Sequence, residues 1–131
     1  WCQQNVAKSL WRDEVPYAQF MLECVIRRDL DQMVSWWIGT KTDFQVSTGK
    51  IGNYFKKFLP DEYWTMYEAT YADGDAEHIW DALFVAGDLF RTLAGHVADE
   101  FSFTYHWDED ENMTFYLRQV RKLSSSADRI F

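Results

Sequence analysis

An all-α, up-and-down bundle of five to six helices is the fold this sequence predicts, and three observations predict it. Apolar residues recur at steps of three and four through most of the 131 positions. The longest run, Ile79, Leu83, Ala86, Phe90, Leu93, Val97 and Phe101, has the spacing of a helix buried among others. No strand–helix–strand alternation occurs, which sets aside Rossmann-like and P-loop folds.

Each element follows from local pattern. Val6, Leu10 and Trp11 mark a short first helix. Val15, Ala18, Leu22, Val25, Met33 and Trp37 stripe a long second one over 13–41. Asp13 reads as its N-cap, and Pro16 falls in its first turn, where a missing N–H costs nothing. Residues 42–49, TDFQVSTG, read as a short extended loop, followed by a third helix over 50–58. Leu59-Pro60-Asp61-Glu62 restarts the chain as a fourth helix, with acids matched to the dipole, carrying Tyr63, Trp64, Met66, Tyr67 and Tyr71. Asp75 ends a turn and caps the fifth helix. Residues 102–108 connect to a final helix from Asn112 to Leu123.

The bulk properties agree with one domain, 1–131, able to bury roughly two-thirds of its unfolded surface. Apolar residues make up 47% of the chain and aromatic residues 18%, ample to offset ordering entropy. A net charge of −8 makes nucleic acid a poor partner, and reads either as the ordinary acidity of many proteins or as a surface for a cationic ligand. Cys2 and Cys24, without metal spacing, are expected as free buried thiols in a reducing compartment, the cytoplasm. No apolar run approaches the ~20 residues of a membrane span, and no leader is visible. A chain that begins at Trp1 is expected to be part of a longer protein.

Few residues carry chemistry by themselves. His78, His96 and His106 lack the spacing of a zinc helix, and His96 reads as structural, so no metal is assigned. The pairs Asp29/Asp31, Asp73/Asp75 and Asp108/Asp110 lie off any strand and read as turn, cap and helix-face acids. The run Asp108 to Glu111 reads as a solvated helix start. Lys50, after Ser47-Thr48-Gly49, opens a predicted helix and is either an anion ligand or an ordinary surface lysine. Trp36, Trp37, Trp64, Tyr67, Tyr71 and Trp80 read as core first and as sugar, base or cation contacts second.

Three segments carry a resemblance. Residues 35–59, SWWIGTKTDFQVSTGKIGNYFKKFL, hold a Trp-containing helix end, a Gly-x-x-Thr-x-Phe step and a Ser-x-Gly-Lys turn. Residues 77–91, EHIWDALFVAGDLFR, and 112–118, NMTFYLR, follow in order. All three are similar to segments of the aminoglycoside 6-adenylyltransferases, the streptomycin adenylyltransferase family, over about residues 1–123.

The resemblance implies a C-terminal helical domain whose N-terminal nucleotidyltransferase domain, holding Mg2+ and ATP, is absent from this chain. It implies transfer of AMP to the 6-hydroxyl of streptomycin, and an inactive fragment. It implies that Lys50 reaches the triphosphate and Tyr71 contacts the nucleotide. Asp13 and Glu14 either bind a guanidinium of the drug, or take its hydroxyl proton, or simply cap a helix. It leaves the catalytic residues unknown. Two other readings stand beside it: a non-catalytic helical module that partners a separate nucleotidyltransferase chain, and a structural oligomerisation bundle.

Overall fold

The computed structural model describes residues 3–42, 54–101 and 107–122. Among them every regular element is helical, as the apolar spacing predicts. Helix α1 spans Gln3–Trp11 and α2 Val15–Phe20; a π-helical segment, Met21–Ile26, runs straight into α3, Arg27–Thr42. Then come α4 (Phe55–Phe58), α5 (Asp61–Glu68), α6 (Ala76–Glu100) and α7 (Trp107–Lys122).

Side-chain pairs fix the directions. Asp31 meets Tyr67 while Trp37 meets Tyr63, so α5 runs antiparallel to the rod formed by α2 and α3. Arg91 meets Asp110 while Arg121 reaches Glu77, so α7 runs antiparallel to α6. The bundle is therefore up-and-down. Helix α6 is its centre, burying Ile79, Trp80, Ala82, Leu83, Ala86, Leu89, Leu93 and Val97. Each of its leucines contributes about 1.5–3 kcal/mol by leaving water. Helix α1 crosses α6 closely enough that a Cβ on Gly87 would lie 3.0 Å from Gln3 Nε2. Of the predicted stripe, only Phe101 is exposed; it already lies beyond the helix end.

The turn between α1 and α2 corrects one expectation. Asp13 is not the N-cap of the long helix. Its φ of 59° is left-handed, its N–H donates to Leu10 O at 3.1 Å, and Glu14 N–H donates to Ser9 O at 2.7 Å. That pair of bonds is a Schellman motif, which closes α1, with Asp13 where glycine is usual. Glu14 occupies the cap position of α2 and makes no side-chain cap bond. Pro16 does fall in the first turn.

Two other expectations move. Cys24 is exposed rather than buried, because its place on the rod faces away from α6; Cys2 lies outside the described residues. Helix α7 begins at Trp107, five residues before Asn112, so Asp108, Glu109 and Asp110 fill its first turn, where acids match the dipole. Asp75 caps α6 as predicted, its carboxylate accepting from Glu77 N at 2.9 Å and His78 N at 3.3 Å. The predicted loop 42–49 and the helix start at Lys50 lie almost wholly outside the described residues.

Candidate functional site

Glu23, Arg27 and Asp31 stand four residues apart, one turn above another on the rod. The end of α5 lies against them, bringing Tyr67, Thr70 and Tyr71. Arg27 is 9% exposed, an unusual degree of burial for a charge. Its Nη1 donates to Thr70 Oγ1; its Nη2 donates to Thr70 O at 3.0 Å and Glu23 Oε1 at 3.3 Å. Thr70 is held in turn, its hydroxyl donating to Tyr67 O at 2.6 Å.

The same guanidinium lies 3.9 Å from the centre of the Tyr71 ring and 5.2 Å from that of Tyr67. Tyr67 is locked from several sides. Its hydroxyl donates to Asp31 Oδ1 at 2.7 Å, Trp64 stacks on it at 5.6 Å, and Phe55 meets it edge-on at 5.6 Å. Gln19 Nε2 donates to Ala72 O at 3.0 Å and ties the following turn to α2.

The electrostatics follow from burial. Burial pushes the Tyr67 phenol far up, helped by its bond to Asp31. Burial also pushes the Asp31 carboxyl up, against the pull of the Tyr67 hydroxyl and of Arg27. For Arg27, burial works against the charge, but Glu23 and the two tyrosines together outweigh it and its pKa is raised. A permanent cation thus stands behind two tyrosines, and Tyr71 keeps 57% of its surface exposed.

Of the aromatic residues singled out from sequence, the structure brings Trp64, Tyr67 and Tyr71 into this face. Asp13 and Glu14 are exposed at the turn before α2, beside the face rather than in it. Five residues, about 7.5 Å of helical rise, separate Glu14 from Gln19. Lys50 lies outside the described residues. Glu23, Arg27 and Thr70 were missed, and Asp31, read from sequence as a helix-face acid, instead accepts from the Tyr67 hydroxyl in this face. The available signal was Arg27 itself, a charge set between Ile26 and Leu30 on the apolar side of the rod.

The remaining polar groups brace the bundle. Arg91 grips Asp110 with two bonds, Nε at 2.6 Å and Nη2 at 2.8 Å, and Nη2 reaches Thr114 at 3.0 Å. Asp110 therefore holds α7 to α6, and its bonds raise the Arg91 pKa further. His96 is a structural histidine: its Nδ1 accepts from Trp37 Nε1 at 3.2 Å. Asp73 and Asp75 order the turn before α6, Asp73 Oδ1 accepting from Asp75 N at 3.0 Å and lying 2.7 Å from His78 Nδ1. Trp80 is buried and Trp36 half exposed. An open depression of 340 Å³ between α6 and α7 is lined by Phe84, Asp88, Arg118, Arg121 and Lys122. The charge of Arg121 there is already met by Glu77 and Asp81.

The described residues thus form a helical bundle in which the half-exposed ring of Tyr71 lies against a buried, hydrogen-bonded cation. The streptomycin adenylyltransferase family profile matches residues 1–120, and the chain belongs to that family. It is 29% identical over 123 residues to the aminoglycoside 6-adenylyltransferase of Campylobacter jejuni, covering 94% of this chain and 43% of that protein. To the enzyme of the same name from Bacillus subtilis (strain 168) it is 30% identical over 115 residues, 88% of this chain and 40% of that one. The crystal structure of an aminoglycoside 6-adenyltransferase from Bacillus subtilis superposes with a TM-score of 0.81 at 27% identity, over 92% of this chain and 46% of that one. The chain thus spans less than half the length of these relatives.

Proposed function

We propose that this chain is the C-terminal helical domain of an aminoglycoside 6-adenylyltransferase. In this reading it forms the substrate-side wall of a cleft in which AMP passes from ATP to the 6-hydroxyl of streptomycin and pyrophosphate leaves. The family match over residues 1–120 carries the reading. The relatives' additional length corresponds, in this reading, to a nucleotidyltransferase domain that holds Mg2+ and the triphosphate. Phosphoryl-type transfer depends on that positioned charge, so the wall alone is inactive.

The roles divide by charge. Tyr71, outward on the α5 end, faces the nucleotide. Lys50 neutralises part of the triphosphate. Asp13 and Glu14, exposed acids on a chain of net charge −8, take the guanidinium groups of the drug. ATP and the drug both place the enzyme in the cytoplasm. No helix among the described residues is long and apolar enough to cross a membrane.

The test is to assay pyrophosphate release with Mg2+·ATP and streptomycin, for the full-length protein and for residues 1–131 alone. Release by the full-length protein only is the expected result. Release by the isolated chain, or none by the full-length protein with any aminoglycoside, would overturn the reading. Reconstitution only on adding a separately encoded nucleotidyltransferase chain would favour a two-chain arrangement instead.

A further inference from the structure

We propose that Arg27 is a positioning residue for Tyr71, and that it sets the free face of that ring for an uncharged aromatic base. The inference rests on the reading of Tyr71 as nucleotide-facing. It deepens that reading by naming what aims the tyrosine and why the ring takes the base rather than the cationic drug.

Tyr71 follows α5, in the stretch between that helix and the cap of α6. A side chain 57% exposed in such a stretch has two torsions to lose before it can serve as a platform. Here one face of the ring lies against the Arg27 guanidinium at 3.9 Å, and Tyr67 meets it edge-on at 5.9 Å and 77°. The guanidinium cannot swing away. Both Nη atoms are bonded, to Thr70 and Glu23, and Thr70 is itself 1% exposed. Arg27 Nε is buried without a hydrogen-bond partner, so the plane is held by its outer fork and by stacking. Rigidity thus passes from the rod through Arg27 to an outward ring.

The choice of arginine sets what the ring accepts. A planar guanidinium stacks on an aromatic face as an ammonium cannot. With that face engaged by a cation, the ring's electron density is already drawn inward. A second cation on the outer face would meet the first through the ring, whereas a neutral purine stacks there without that penalty. Packing alone does not require the charge, since a methionine of similar length would fill the space.

The experiment varies ATP and streptomycin separately in steady-state kinetics of the full-length protein. Tyr71→Ala tests the underlying reading: it should raise the KM for ATP. Arg27→Met should raise that KM by about three- to tenfold, leaving the KM for streptomycin and kcat within about twofold. In the Tyr71→Ala background, Arg27→Met should add nothing, because there is no ring left to aim.

An unchanged KM for ATP in Tyr71→Ala defeats the reading of Tyr71. A raised one in Tyr71→Ala with an unchanged one in Arg27→Met defeats only the role of Arg27. So does an effect that persists in the double variant, which marks Arg27 as a general brace. A loss falling on streptomycin rather than ATP overturns the assignment to the base. Should Arg27→Met fail to fold by thermal unfolding, Arg27→Lys removes the planar fork that lies against the ring while keeping the charge. That variant carries the same expectation, and an unchanged KM for ATP in its folded form defeats the inference.

Discussion

The carboxylate of Asp110 receives Arg91 side-on, Nε at 2.6 Å and Nη2 at 2.8 Å, so one residue at the start of α7 is clamped to the middle of α6. Asp110 is 14% exposed and Arg91 27% at the side chain, so water screens the pair little. Arg91 and Thr114 belong to two separate segments of the family resemblance, and here they meet. What the family resemblance marks at these positions is a joint between helices.

That joint predicts a stability effect. Arg91→Ala should cost about 2 kcal/mol, because the partly buried Asp110 carboxylate loses two charge-assisted bonds. Asp110→Asn should cost less, and the double variant should cost less than the sum of the two. Chemical denaturation of the four proteins in the cycle measures this; strict additivity would show that the two side chains do not interact.

Asp13 offers a separation of stability from binding. Its left-handed backbone suits glycine better than aspartate, so Asp13→Gly should stabilise the chain by about 0.5–1 kcal/mol. If the carboxylate serves the drug, the same change in the full-length protein should raise the KM for streptomycin, most at low salt. Higher thermal stability with an unchanged KM would make Asp13 a turn residue only.

At the start of α6, the bond between Asp73 and His78 predicts a pH window. The hydrogen bond that His78 donates to Asp73 raises the His78 pKa above its ordinary 6.5, so that contribution is full below 6.5 and lost as pH rises through the folded value. The backbone N–H of Asp75, then His78, lowers the Asp73 pKa below its ordinary 3.8. Its contribution is full above 3.8 and lost as pH falls through the folded value. The pair is therefore fully formed between the two ordinary values. An NMR titration should place the His78 midpoint above 6.5, and Asp73→Asn should return it toward 6.5. An identical midpoint in both proteins would contradict the assignment.

Lys50 carries the clearest functional expectation. In the full-length protein Lys50→Ala should weaken ATP use by about one to two decades, the scale of a charge-assisted contact of roughly 1.5–3 kcal/mol. Lys50→Met should lose as much, since it keeps the stem and drops the charge. ATP affinity and turnover within twofold of the parent would make Lys50 a surface residue.

Much of the fold was legible because it depends on spacing alone. The α6 stripe and the Asp75 cap are local patterns, and both lie where the sequence puts them. Asp13 was misread because aspartate suits both an N-cap and a left-handed C-terminal position, and only the backbone distinguishes the two. The site was less legible. Tyr71 came from family resemblance, whereas Arg27 is hydrogen-bonded to Thr70, 43 positions away, a pairing that no local pattern encodes. The buried series Ala18, Leu22, Ile26, Leu30, Val34 and Ile38 keeps a strict step of four, longer than the 3.6 of an α-helix. The wider turn that accommodates it leaves no mark in composition.

The π-helical segment Met21–Ile26 therefore acts as a one-residue spacer. Its wide turn carries one residue more than α-helical winding would over the same arc. Were the same residues to wind as unbroken α-helix, that extra residue would no longer be absorbed, and everything before Met21 would rotate by about 100° about the axis. Gln19 would swing off the carbonyl of Ala72, and the turn bearing Tyr71 would lose its tether to α2. The angular phase of residues 3–20, relative to the aromatic face, is thus kept by a wide turn that absorbs a single residue.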